Sequence, residues 1–167
     1  VSREILFGEA EIALRVTALA REIAPRGPQI AVPVLAGAFV FAADLLRALA
    51  KEGVSLPTEF LWLRSYDGRA AREVAVLAGP SEAVRGKTVL LIDGVLDRGT
   101  TVATARKLLK DAGARNVLTA VAVDKLLPDA RAHADFALFH GVTEFIAGYG
   151  MDDDGGDRGL PDIVRMG

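Results

Sequence analysis

Cysteine is absent from the chain, which removes disulfides, thiolate nucleophiles and Cys-ligated metals from consideration and fits a reducing compartment. Aromatics are sparse, with one Trp, two Tyr and seven Phe, and no run of basic residues occurs. Twenty Lys plus Arg against 22 Asp plus Glu leave a net charge of -2. A nucleic-acid surface as the main function is therefore disfavoured. No apolar stretch approaches the roughly 20 residues of a membrane span, and Arg3, Glu4 and Glu9 break any signal-peptide pattern, so a cytoplasmic protein without membrane contact is expected. The only histidines, His133 and His140, have no partner at ligand spacing and receive no chemistry. What remains is a chain of 167 residues, 51% hydrophobic, enough for one domain with a substantial core.

The richest segment is Thr88 to Leu109. Val89-Leu90-Leu91-Ile92 is an unbroken apolar run, as for a strand buried on both faces of a parallel sheet. Val102, Ala105, Leu108 and Leu109 follow helical spacing, so Gly99-Thr100-Thr101 sits at a helix entrance, where unpaired amides and the helix dipole suit a phosphate dianion. Asp93 and Asp97 at the strand's end could hold sugar hydroxyls, a metal or a proton. Acids and glycines also end strands because loops need them. Two acids four apart between an apolar strand and a Gly-Thr-Thr turn make a sugar-phosphate cradle the sharper reading.

Elsewhere, Ile12, Val16, Leu19, Ala20 and Ile23 line one helix face ending before Pro25. A strand over Ile30–Leu35 is expected, with Pro33 pointing to an edge or bulge, then a helix over Phe39–Ala50. Thr58–Leu63 and Glu73–Leu77 read as strands, with a mobile polar loop over Ser65–Arg72. A strand over Val117–Val123 and short ones near Phe136, Phe145 and Ile163 follow. The alternation implies an α/β fold, a mainly parallel sheet flanked by helices, with ligands at the carboxyl ends of the strands.

Asp93-Gly94-Val95-Leu96-Asp97-Arg98-Gly99-Thr100-Thr101 resembles the phosphoribosyl pyrophosphate motif of type I phosphoribosyltransferases. Four further segments resemble the hypoxanthine-guanine, or 6-oxopurine, branch. They are Val34–Leu45, Arg64-Ser65-Tyr66, Val123-Asp124-Lys125, and Phe145–Asp152 with Arg158–Pro161. The resemblance implies one type I phosphoribosyltransferase domain over 1–167, with a core of about 9–135 and a hood of about 136–167 that also draws on the N-terminal end. The implied activity is transfer of a 5-phosphoribosyl group from phosphoribosyl pyrophosphate to hypoxanthine, guanine or xanthine.

By the same resemblance, Asp97 takes the purine N7 proton, and Ser65 and Tyr66 close over the reacting centre. Asp93, Arg98, Gly99, Thr100 and Thr101 hold ribose and 5′-phosphate, while Lys125, Phe145, Ile146 and Asp152 hold the purine. Ala36, Gly37 and Arg158 bind pyrophosphate, and Asp152 with Asp93 holds magnesium. A homodimer or homotetramer is also implied, for which Phe39, Phe41 and Trp62 could serve as interface or as core.

The departures matter as much as the matches. Gly94 stands where the family carries a second acid that also binds ribose, so an aspartate placed there is expected to tighten donor binding. Ala36 replaces a lysine beside an unusual cis peptide. These two positions keep a second class open, a nucleotide-binding regulator or catalytically weakened paralogue on the same scaffold.

Overall fold

The structure is a computed structural model describing residues 2–67 and 72–167, without the side chains of residues 66, 67 and 72. Its main sheet has six strands in the order β4-β3-β2-β5-β6-β7. These are β2 (Ile30–Leu35), β3 (Leu61–Asp67), β4 (Arg72–Ala78), β5 (Thr88–Leu96), β6 (Asn116–Asp124) and β7 (Phe136–His140). All neighbours are parallel except β3 and β4, which pair antiparallel from Trp62–Ala78 to Asp67–Arg72.

The apolar run of β5 is explained by what covers it. Leu90 and Ile92 pack toward α1 (Glu9–Ile23) and α2 (Phe39–Lys51), with Ile12, Val16, Phe41 and Leu45. Val89 and Leu91 face the other way, onto Val102, Ala105 and Leu109 of α3 (Thr100–Asp111). Alternate residues thus enter two separate cores, so neither face can be polar. Phe41 is fully buried and belongs to the first core, whereas Phe39 and Trp62 remain exposed.

Several expectations need correction. Pro33 sits in an internal strand, not at an edge. On the β3 side, Ala31 donates to Pro57 O and accepts from Glu59 N, and the ladder resumes at Val34–Leu61, so the missing N–H falls in the gap. Thr58 makes only an isolated bridge to Ala31, and β3 begins at Leu61. Ser65 and Tyr66 lie inside β3, not in a loop, because pairing with β4 continues past them. The strand at Val89 runs on to Leu96 through pairs with Val123 and Asp124, which places Asp93 within it.

A second sheet, β1-β9-β8, joins β1 (Arg3–Phe7), β8 (Ile146–Ala147) and β9 (Ile163–Met166) antiparallel. This is the hood. It begins after β7, not near 136, since Phe136–His140 pairs with β6 in the main sheet. The rings of Phe7 and Phe139 stack with centroids 3.6 Å apart, tying β1 to β7. No helix among the described residues is long and apolar enough to cross a membrane.

Candidate active site

The carboxyl ends of β2, β5 and β6 converge under the hood. β5 delivers Asp93, then Asp97 just beyond its end. Asp93 is buried, and its Oδ1 accepts the Gly94 N–H at 2.7 Å. Burial pushes its carboxyl up to about 7, with the Gly94 amide opposing more weakly.

Gly99 caps α3 at φ 77°, and a Cβ there would lie 2.7 Å from Ala132 N, so both conformation and space select glycine. Thr100 and Thr101 open the helix, whose first N–H groups have no partner within it. Ser65 reaches this entrance from β3, with Oγ 3.3 Å from Thr101 Oγ1. The expected closing role of Tyr66 concerns a side chain outside the described residues. Arg98 lies 3.8 Å from Asp129 and shares with Thr100, Asp129 and Arg131 a polar cavity of about 400 Å3 beside the helix entrance.

β6 ends in Asp124, and the next residue, Lys125, is tied to β5 by its N–H on Leu96 O. The mostly buried Lys125 ammonium lies 3.8 Å from Asp97 Oδ2 and donates to the Glu144 carbonyl at 3.0 Å. The site residues of the sheet and the hood thus meet at one cation. Glu144 was not legible as a contributor, because a backbone carbonyl leaves no mark in residue type. The adjacent Phe145 is 57% exposed and not part of the core, which leaves it available for stacking. Ile146 is buried in β8, paired with Arg165.

The hood turn after β8 brings Asp152 and Arg158 together at 3.0 Å. Arg158 also donates to Gly150 O at 2.8 Å, and Asp152 Oδ2 accepts the Gly155 N–H at 2.8 Å. Behind them the Tyr149 hydroxyl donates to Asp44 of α2 at 2.7 Å, and burial with that acceptor raises its pKa. Tyr149 and Arg158 line a larger cavity of about 800 Å3 between α1, α2 and the hood, which shares only Arg158 with the site residues. On β2's side, the peptide bond Leu35–Ala36 is cis, directly before Gly37.

Among the described residues no three His, Asp or Glu side chains converge, so a closed metal cage is lacking. The donor set fits a different mode, in which magnesium takes one or two carboxylates and completes its shell from substrate phosphates and water. Asp152, at the surface of the site, suits that mode better than the buried Asp93.

Comparison with known proteins follows the same outline. Residues 5–154 match the phosphoribosyl transferase domain family. The chain is 32% identical to hypoxanthine phosphoribosyltransferase of Escherichia coli K12 over 173 residues, covering 98% of this chain and 94% of that protein. It is 31% identical to hypoxanthine-guanine phosphoribosyltransferase of Aquifex aeolicus, with the same coverage. The Trypanosoma cruzi hypoxanthine phosphoribosyltransferase in complex with the product IMP superposes with a TM-score of 0.88 at 30% identity, covering 98% of this chain and 93% of that one. Another structure of that enzyme, from work on how its C-terminal region affects oligomeric state and activity, gives 0.90 at 29%, covering 98% and 91%. A domain match spanning both the β5–α3 segment and the start of the hood, with relatives aligned over nearly the full length, makes this chain a member of the phosphoribosyltransferase family, in its hypoxanthine-guanine branch.

Proposed function

We propose that the protein transfers the 5-phosphoribosyl group of phosphoribosyl pyrophosphate to a 6-oxopurine, giving a nucleoside monophosphate and pyrophosphate. The observation that carries this reading is the Asp97–Lys125 pair, 3.8 Å apart at adjacent strand ends beside the Gly99–Thr101 helix entrance. A phosphate seated on those amides would lie next to an acid able to accept a proton and a cation able to hold a carbonyl.

As the bond from purine N9 to the sugar C1′ forms and that from C1′ to the pyrophosphate oxygen breaks, Asp97 takes the N7 proton. Lys125 donates to the 6-oxo group while keeping Glu144 O, since an ammonium has three donors. The exposed face of Phe145 stacks on the base, and backbone groups near Ile146 and Asp152 read its 2-position. Thr100, Thr101 and the α3 amides hold the 5′-phosphate, with Ser65 bridging from β3. Asp93 accepts from a ribose hydroxyl. Arg158 and the Gly37 amide face the leaving pyrophosphate. Magnesium, held by Asp152 together with the donor's own oxygens, would neutralise charge on that leaving group. The same reading includes a homodimer or homotetramer, for which exposed Phe39 and Trp62 are available and Phe41 is not.

Incubation with magnesium, phosphoribosyl pyrophosphate and each of hypoxanthine, guanine, xanthine and adenine tests the reaction. Nucleotide should form with at least one 6-oxopurine and not with adenine. No turnover with any base, alongside tight nucleotide binding, would transfer the site to a nucleotide-sensing regulator.

A further inference from the structure

One carbonyl is wedged between two glycines in the donor half of the site. A Cβ on Gly94 would lie 2.8 Å from Gly37 O, 3.2 Å from Gly37 C and 3.2 Å from Met151 Cγ. A Cβ on Gly150 would lie 2.9 Å from the same Gly37 oxygen. Even favourable carbon–oxygen contacts stand at about 3.3–3.6 Å, so neither position has room for a side chain. Gly150 has φ 95° and is glycine for conformational reasons as well. Gly94 does not have a positive φ, so space alone excludes a side chain there.

An added Cβ at 94 must displace one of its neighbours. β5 is paired on both sides, to β2 through Ile92–Pro33 and to β6 through Asp93–Val121 and Val95–Val123, and it lies between two cores. The Ala36–Gly37 loop is partly exposed and held by two longer backbone bonds, Ala38 N to Val34 O at 3.2 Å and Phe39 N to Ala36 O at 3.1 Å. The loop is the softer element and would move. Its Gly37 N–H has no acceptor among the described residues, leaving it free for a ligand.

We infer that Gly94 is a positioning residue for the donor: its bare α-carbon seats the Gly37 carbonyl and so fixes the free Gly37 N–H where pyrophosphate binds. The inference rests on the phosphoribosyltransferase reading for the identity of that ligand. It reverses the expectation that an aspartate at 94 tightens donor binding, because the Cβ meets Gly37 before any carboxylate reaches the ribose.

The test compares wild type, Gly94→Ala and Gly94→Asp, with Gly79→Ala as control, since a Cβ at 79 meets only Val76 at 3.9 Å. The measurements are KM for phosphoribosyl pyrophosphate, kcat at saturating donor, calorimetric affinity for magnesium pyrophosphate and for IMP, and amide exchange at Ala38 and Phe39. Both Gly94 variants should raise donor KM and weaken pyrophosphate binding about tenfold or more, the scale of one lost charged hydrogen bond. IMP affinity and kcat should stay within about twofold, exchange at Ala38 and Phe39 should quicken, and Gly79→Ala should match wild type. If Gly94→Ala does not fold, Gly94→Ala/Met151→Ala removes the hood-side contact, leaves Gly37 under pressure, and should show the same split. Unchanged pyrophosphate affinity and exchange in a folded Gly94 variant, or tighter donor binding by Gly94→Asp, overturns the inference. A wild type that binds pyrophosphate but turns over no base refutes the enzymatic reading while the binding and exchange comparison still decides the role of Gly94.

Discussion

Asp93 makes a sharp prediction because its burial carries a definite sign. Its carboxyl is raised from 3.8 to about 7, chiefly by desolvation. Between those two pH values the native state holds a proton that the unfolded chain has released, so stability falls as pH rises. This contribution is present in full below the unfolded value and is gone above the folded one. Each pH decade in that window is worth about 1.36 kcal/mol, giving about 3 kcal/mol between pH 4.5 and 8.5. Asp93→Asn removes the titration while keeping an oxygen to accept the Gly94 N–H. Urea unfolding of both proteins in EDTA-containing buffer, at several pH values across that range, isolates the effect, because every other group titrates alike in the two. The stability of Asp93→Asn relative to wild type should rise by about 3 kcal/mol from the lowest to the highest pH. A pH-independent difference would show that Asp93 is solvated and ionised throughout, and would refute the reasoning.

Asp97→Asn should lower kcat about 100-fold or more while IMP affinity changes only a few-fold, as for loss of a general base; unchanged single-turnover rates would exclude that role. Lys125→Ala should raise KM for hypoxanthine about tenfold and leave adenine binding no weaker, and an equal loss for both bases would contradict the contact with the 6-oxo group. Gly99→Ala forces a Cβ toward Ala132 N at positive φ, so it should destabilise the fold by about 1–3 kcal/mol and weaken IMP binding, measurable by urea unfolding and calorimetry. Wild-type stability and affinity in that variant would mean that the loop readily rearranges.

What could be read in advance depended on whether a feature leaves its mark in residue type. β5 and α3 were legible because Val89–Ile92 feed two cores and Val102, Ala105 and Leu109 form one helical face. β1 was not, because Arg3–Phe7 is mostly exposed and is a strand only through pairing with the distant β9. The extension of β3 through Ser65 was hidden by polar residues that suit a solvent-facing hairpin as well as a loop. In the site, Asp97 was legible at the end of an apolar strand while Lys125, Asp152 and Arg158 were expected only from the family resemblance; the structure brings Asp97 beside Lys125 and Asp152 beside Arg158. The Arg98–Asp129 pair was not legible, because the position of Arg98 on the loop does not reveal that neighbour. At Gly94 residue type shows only the absence of an acid, whereas the approach of Gly37 O is a distance between backbones, on which sequence is silent.

The placement of Lys125 also separates two questions of specificity. Its side chain is 11% exposed, and its ammonium already serves Glu144 O while facing Asp97. A 6-oxopurine would present one more acceptor to this cation, whereas adenine presents an amino group, donor against donor, at a site with little water to relieve it. Discrimination against the amino base then costs the wrong ligand a charged hydrogen bond, about 1.5–3 kcal/mol or roughly 10- to 150-fold, without movement of the hood. Choice among hypoxanthine, guanine and xanthine concerns the substituent at C2, a different atom from the 6-oxo oxygen assigned to this ammonium. Substitutions at 125 should therefore alter oxo-against-amino preference and leave the ranking of the three 6-oxopurines to the backbone around Ile146 and Asp152.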